Sequence, residues 1–224
     1  MTLSKELKTG TKKSHSAAEN TKFVASFLRG VLDPEEYRKL IANFFFVYRA
    51  MEEEISKHHD DPAIAVIDDP ALYRTDALER DLRYYYGPNW RSIVTTTIAG
   101  QQYVNRIREV NDKMLLIGHH YTRYIGDLSG GQILKGIAEK ALTLPEGEGL
   151  HFYDFDKIED AKEYKNEYRA SLDALELDQS QIDAIIAEAN YAFKLNMNMF
   201  DEIEGSARKS LWVMFTKWIG GIFK

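Results

Sequence analysis

Apolar residues recur along this chain with a helical period almost from end to end. The clearest case follows Asp33-Pro34, where Leu40, Ile41, Phe44, Phe45, Val47, Tyr48 and Met51 spread over a broad face. A stripe of that width predicts a central buried helix, running through Glu54. Its start is marked twice, because aspartate caps free backbone N–H groups and proline is tolerated in the first turn. Similar signals predict helices over Leu3–Ala18, over Lys22–Arg29 with Gly30 as the stop, and from Asp69-Pro70 to Tyr86-Gly87-Pro88. Further helices are expected over Asn89–Glu109, Asp112–Leu144, Lys157–Leu175, Ser180–Glu204 and Ala207–Ile219. Pro145–Phe155, with its PEGEG run, reads as the clearest loop. No alternating strand pattern, repeat or linker-like segment appears. The expectation is one all-α domain over residues 1–204, followed by an amphipathic tail over 205–224.

Composition narrows the picture. The chain has 224 residues and a formal net charge of −6, with 44% hydrophobic and 29% charged residues. That describes a globular protein with a sizeable core, and it argues against general nucleic-acid affinity. There is no cysteine. This excludes disulfides, thiolate catalysis and cysteine-ligated metals, and it fits a reducing compartment. The segment MTLSKELKTGTKK lacks the apolar stretch of a secretory signal. Leu211–Phe223 is interrupted by Thr216 and Lys217 and falls short of the ~20 residues of a transmembrane anchor. Its tryptophans and lysines suit contact with a membrane surface or a partner, with folding back onto the body as the alternative.

The candidate chemistry begins in YTRYIGDLSGGQ, Tyr121–Gln132, which carries Gly126, Gly130 and Gly131 inside a helical run. A glycine in a helix interior costs roughly 0.5–1 kcal/mol relative to alanine. What glycine offers in return is close approach to the backbone. Gly126 and Gly130 are four apart and share a face, with Arg123, Tyr124 and Asp127 around them. Two readings fit: a bent helix whose bare backbone lies on a flat ligand, or close packing of one helix on another.

A second pattern lies at the start of the chain. Lys8, Lys12, His15 and Glu19 fall within about 60° of one another on a helix at 100° per residue. A neutral imidazole is the commonest metal ligand, and Glu19 stands one turn on, where it can orient the ring. The two lysines suit the carboxylates of an anionic cofactor. The alternative is an exposed basic helix with a simple His15–Glu19 pair. Lys165 and Arg169 form a second i,i+4 basic pair, for which a solvated face is the default. Phe193, Asn196 and Phe200 form a core-like stripe in which Asn196 needs polar partners. Glu52-Glu53-Glu54 reads as a charged helix end.

Together these pieces resemble the heme oxygenase family. YTRYIGDLSGGQ resembles its distal-helix signature, and KTGTKKSHSAAEN, Lys8–Asn20, its proximal-histidine segment. VYRAMEEEI, KNEYRASLDAL and AFKLNMNMF are similar to further blocks of the family, in the family's order, over about residues 3–204. The resemblance implies heme b held between a proximal and a kinked distal helix, as both substrate and prosthetic group. It implies oxidative opening by dioxygen at the α-meso carbon, giving biliverdin, carbon monoxide and ferrous iron. His15 matches the axial iron ligand and Glu19 its partner. Lys8, Lys12, Tyr121, Lys165 and Arg169 match contacts to the heme propionates, and Phe193 lines the pocket. Asp127 matches the carboxylate that organises distal waters, with Arg123, Tyr48 and Asn196 in its network. Gly126 and Gly130 match the backbone that crowds the iron.

The soluble bacterial or plastid type is the nearest in character. For it the resemblance implies ferredoxin, or another acidic electron donor, and a cytoplasmic or stromal location. A bilin reductase is the expected downstream partner. No tightly bound flavin and no second metal are expected. The competing readings are a non-catalytic heme carrier or sensor on the same fold, and a carboxylate di-iron bundle. The latter needs paired Glu-x-x-His motifs, and the chain has one such spacing, Glu148 to His151, in a loop.

Overall fold

The computed structural model describes residues 2–222, with side chains described through residue 204. Among the described residues there are helices and turns but no strand. The helices are α1 (Leu3–Gly10), α2 (Lys12–Glu19), α3 (Lys22–Leu28), α4 (Pro34–Lys57), α5 (Pro62–Ala65) and α6 (Thr75–Tyr86), followed by α7 (Ile98–Glu109), α8 (Leu116–His120), α9 (Gly126–Leu142), α10 (Ala161–Asp173) and α11 (Gln179–Ile222). A π turn, Tyr121–Ile125, joins α8 to α9.

Helix α4 runs through the middle, against α6, α7 and α11. All seven apolar positions of its predicted face are buried. Its first turn is built as expected: Asp33 Oδ1 accepts the N–H groups of Glu35 and Glu36 at 2.8 and 3.1 Å, with Pro34 in the first position. Among the described residues no helix is long and apolar enough to cross a membrane.

Several boundaries differ from the sequence expectation. The first helix divides at Thr11, whose buried hydroxyl donates to Leu7 O at 2.7 Å. Gly10 lies so close to α11 that a Cβ there would meet Ile186 Cγ2 at 2.6 Å. Asp69-Pro70 starts a turn instead of a helix. Asp69 gives one oxygen to Ala71 N and the other to the Tyr164 hydroxyl. Helix α6 begins only at Thr75, where Glu52 Oε1 accepts the N–H groups of Arg74 and Thr75.

The segment 89–109 is likewise interrupted. After a short turn at Trp90–Ser92, Asn43 Oδ1 accepts from the Thr96 hydroxyl, Thr97 N and the Thr97 hydroxyl, each at 2.9 Å. Thr97 then caps α7. The short helix α5, started by Asp61, was not anticipated. The two expected C-terminal helices are one, because an isolated glycine at 205 does not stop a helix. The proposed surface contacts of the tail side chains lie outside the described residues.

Glu52 and Glu54 correct another expectation: they are buried, at 7% and 6% exposure, and only Glu53 is solvated. Glu52 also accepts from the Tyr124 hydroxyl at 3.1 Å, and Glu54 takes Lys57 and Lys113. These three acids therefore tie α4 to its neighbours.

Candidate active site

The π turn and α9 divide the glycines by role. Gly131 faces the Tyr153 ring, 3.4 Å from where a Cβ would lie, so it serves packing. A Cβ at Gly126 or Gly130 would meet nothing within 4 Å. Ile133, 67% exposed, continues the same face at i+3 from Gly130. The result is an open, apolar shelf of bare backbone ending in one aliphatic side chain. The glycines therefore divide, Gly131 packed against a ring and Gly126 and Gly130 open.

Behind the shelf lies a buried polar cluster. Asp127, 12% exposed at its side chain, receives Arg123 Nη2 at 3.1 Å on Oδ1 and the Tyr48 hydroxyl on Oδ2. Arg123 also donates Nε to the Tyr48 hydroxyl at 2.9 Å and Nη1 to Asn196 Oδ1 at 3.1 Å. Its guanidinium stacks over Phe44, 4.3 Å from the ring centre. Burial works against the Arg123 charge, but Asp127 and Tyr48 more than offset it and keep the group protonated. Burial pushes the Asp127 carboxyl above its ordinary range, against the pull of Arg123 and Tyr48. The outcome is a carboxylate with both oxygens hydrogen-bonded and an enhanced proton affinity. Asn196, the amide that seemed misplaced in a core stripe, bonds Arg123 and Ala192 O.

Helix α11 links this cluster to the first histidine. Phe193, one turn before Asn196, presents its ring edge to the His15 imidazole at 5.9 Å and 73°. His15 keeps 59% of its side chain exposed, and its Nδ1 stands 3.6 Å from Glu19 Oε2, a near contact longer than a hydrogen bond. The imidazole is therefore available to a ligand.

The basic residues gather at one border. Lys165 Nζ reaches Ser129 Oγ, beside Gly130, at 3.3 Å. Arg169 bonds Asn166 one turn back in the exposed layer and places its charge near the half-buried Tyr121 hydroxyl, which also meets Thr11. Thr11 separates Lys8 from Lys12, both exposed, so the break in the first helix falls in the middle of the lysine stripe. Helix α10 packs on α1, with Asp173 accepting Ser4 N and the Ser4 hydroxyl at 2.8 Å each. That packing holds the two basic pairs on the same side of the molecule.

Three participants escaped the sequence reading. The Tyr103 hydroxyl lies fully buried 3.5 Å from Asn196 Nδ2. Glu188 accepts Arg106 twice, from Nε at 2.8 Å and from Nη2 at 2.5 Å, and also pairs with His119 Nε2 at 2.8 Å. Burial opposes its charge, but Arg106 and His119 pull its carboxyl down to about 2. Ile133 is the third. Only the open glycine face gave any advance signal, by placing 133 on the same side.

His119 and His120 are fully buried and turned away from Asp127. Burial pushes His120 down to about 3. Unfolded, it titrates near 6.5. The unfolded chain therefore binds the extra proton between those values, and stability falls as pH drops through that window. The contribution is complete above about pH 6.5 and falls by roughly 1.4 kcal/mol per unit below it. Urea unfolding at pH 7.5 and pH 5 will show a smaller acid loss for His120→Phe than for the parent. Equal losses would mean that His120 charges freely in the folded state.

These residues suit one kind of guest: flat and apolar over the shelf, anionic at the Lys165–Arg169 border, and open to an imidazole ligand from His15. Heme is a guest of that description. The comparisons agree. The heme oxygenase family model matches residues 1–202. Heme oxygenase 1 of Nostoc sp. is 50% identical over 214 residues, covering 95% of this chain and 90% of the relative. Heme oxygenase of Porphyra purpurea is 53% identical over 209 residues, covering 92% and 89%. The crystal structure of heme oxygenase-1 from the cyanobacterium Synechocystis sp. in complex with heme superposes at TM-score 0.91 with 48% identity, over 98% of this chain and 100% of that one. Shelf, buried acid and His15 imidazole thus sit on a fold shared along the whole length, and the chain belongs to the heme oxygenase family.

Proposed function

We propose that His15 and Asp127 act on opposite faces of one heme, which this chain opens to biliverdin. The observation that carries this reading is the α11 bridge. Phe193 touches His15 and Asn196 holds Arg123, so both faces are referred to one rigid segment. Bound heme supplies the site of oxygen activation and is itself the substrate. The chain's part is to hold, orient and deliver protons. His15 would hold the heme iron through its imidazole, and Glu19, one turn away, would bias the ring. The bare backbone at Gly126 and Gly130 allows close approach to the distal face and leaves no side chain there to promote a competing reaction. Asp127 holds and passes protons at its carboxylate oxygens, with Arg123, Tyr48 and Asn196 fixing its direction.

Lys8, Lys12, Tyr121, Lys165 and Arg169 hold the propionates at the border, a charge-assisted arrangement that also fixes rotation in the ring plane. The same cations suit an acidic one-electron donor of the ferredoxin class. Residues 1–14 carry Lys5, Lys8, Lys12 and Lys13 against Glu6, a local charge of 4 − 1 = +3. Reduction by such a donor will slow as salt is added, and a rate indifferent to ionic strength would exclude this docking face.

The direct test is a single-turnover titration. One equivalent of hemin should give a Soret band. Reduced ferredoxin in air should then replace it with a biliverdin band and release carbon monoxide. His15→Ala should bind with an altered ferric spectrum and lose at least about tenfold in turnover, the size of a small ligand-field and binding loss. A parent protein whose Soret band survives reduction in air would sink the catalytic reading. An unaltered His15→Ala spectrum would remove His15 from the iron.

A further inference from the structure

Helix α10 bears two of the cations, yet most of its ties to the rest of the molecule are remote from the shelf. Asp173 holds α1 through Ser4, and Tyr164 donates to Asp69 Oδ2 at 2.6 Å. Among the described residues two polar links run from α10 toward α8 and α9. Lys165 to Ser129 is exposed and long at 3.3 Å. The other is buried: the Tyr168 hydroxyl meets His120 Nδ1 at 2.9 Å.

The His120 ring is stacked on Tyr168 at 5.4 Å and 18°, and lies against Tyr124 on its own helix at 4.4 Å and 32°. His120 is 0% exposed and its Nε2 has no hydrogen-bond partner among the described residues. It immediately precedes Tyr121 and the π turn. Tyr168 stands next to Arg169 and three residues after Lys165. The pair therefore joins the end of α8, from which the π turn leads into the bare shelf, to the turn of α10 that carries the cations. A buried hydrogen bond between stacked rings is a stiff connection, because loss of either partner strands a polar atom away from water.

We propose that His120 is a positioning residue for regiochemistry: through Tyr168 it sets where Lys165 and Arg169 stand over the shelf, and so which edge of the heme faces the distal acid. This rests on the heme reading above. His120 touches neither heme nor Asp127. Its effect reaches the reaction through the in-plane angle of the bound ring. The neutral imidazole suits this task. It can bond Tyr168 in either direction without bringing a charge into the core.

The test uses His120→Phe and Tyr168→Phe, which keep a stacked ring and remove the hydrogen bond. Both are expected to raise secondary biliverdin isomers to about one part in ten of the product, a ratio within reach of one hydrogen bond's free energy. The hyperfine-shifted heme-methyl resonances of the ferric cyanide complex should move in the same sense in both variants, a readout that needs no turnover. The double variant should add nothing further, since the two changes break one link. A merely structural role would lower stability without moving isomers or resonances. Unchanged isomers and unchanged methyl shifts in both variants would overturn the proposal. A parent that binds heme but forms no biliverdin would overturn the catalytic reading, and then the methyl shifts alone decide whether His120 sets the angle.

Discussion

Replacing Asp127 by alanine will leave heme binding close to parental and lower biliverdin formation by roughly 10²–10⁴-fold, the range that positioned proton transfer supplies. Binding should persist because the shelf, the His15 imidazole and the border cations do not depend on the Asp127 side chain. Turnover should fall because the carboxylate is the group in the distal cluster that burial has made more basic than usual. The remaining members do not replace it. Arg123 stays protonated, and burial pushes the Tyr48 hydroxyl well above its ordinary range. The substitution leaves Arg123 its bonds to Tyr48 and Asn196, so the fold should survive. Single-turnover spectra of Asp127→Ala beside the parent decide the matter. Biliverdin at the parental rate would remove Asp127 from proton delivery.

Gly118→Ala is expected to be strongly destabilising. Helix α8 crosses α11 there so closely that a Cβ would stand 2.8 Å from Ala189 N and 2.9 Å from Ile185 O. Both are backbone atoms, which cannot swing aside as a side chain can. The helices must separate, disturbing the Thr122 hydroxyl's contact across them with Ala189 O at 3.4 Å. The expected loss is about 3 kcal/mol, the upper part of the overpacking range. Gly126→Ala supplies the contrast. With open space around it, the added methyl should stabilise the ligand-free protein by about 0.5–1 kcal/mol through helix propensity, while obstructing heme. Urea midpoints without heme and hemin titrations measure both effects. Equal stability changes for the two glycines would contradict the division of roles between packing and shelf.

What could be read from the sequence follows from what a single segment encodes. Helix α4 was legible because its start, its width of apolar face and its length are local properties, and Asp33-Pro34 behaves as such a pair should. The shelf was legible because three glycines in a helix need a reason. The His15 stripe was legible as a period, although its break at Thr11 was not, since that depends on how Gly10 meets Ile186 across the molecule. Asp69-Pro70 misled for the same reason. An aspartate before proline can cap a helix or close a turn, and the choice here lies with Tyr164, nearly a hundred residues away. Glu52 looked like a solvated helix end because its partners, Arg74, Thr75 and Tyr124, come from other segments. Tyr103 and Glu188 were invisible on the same ground. Burial makes them important, and burial is decided by pairings that spacing alone does not specify.

The π turn at Tyr121–Ile125 carries a consequence for how this site can vary. Such a turn is equivalent to one residue inserted into an α-helix. It sets the phase between α8, which is packed backbone to backbone on α11, and α9, which bears the open glycines. Deleting any one residue from 121–125 would let the two helices run on as a single α-helix and turn α9 by about 100° relative to α8. Gly126 and Gly130 would then face about 100° away from their present direction, although every residue outside the deletion would still be in the chain. The spacing from Gly118 to Gly126 is thus as much a part of the site as any side chain in it, and sequence changes that preserve composition but alter this count are the ones the site cannot absorb.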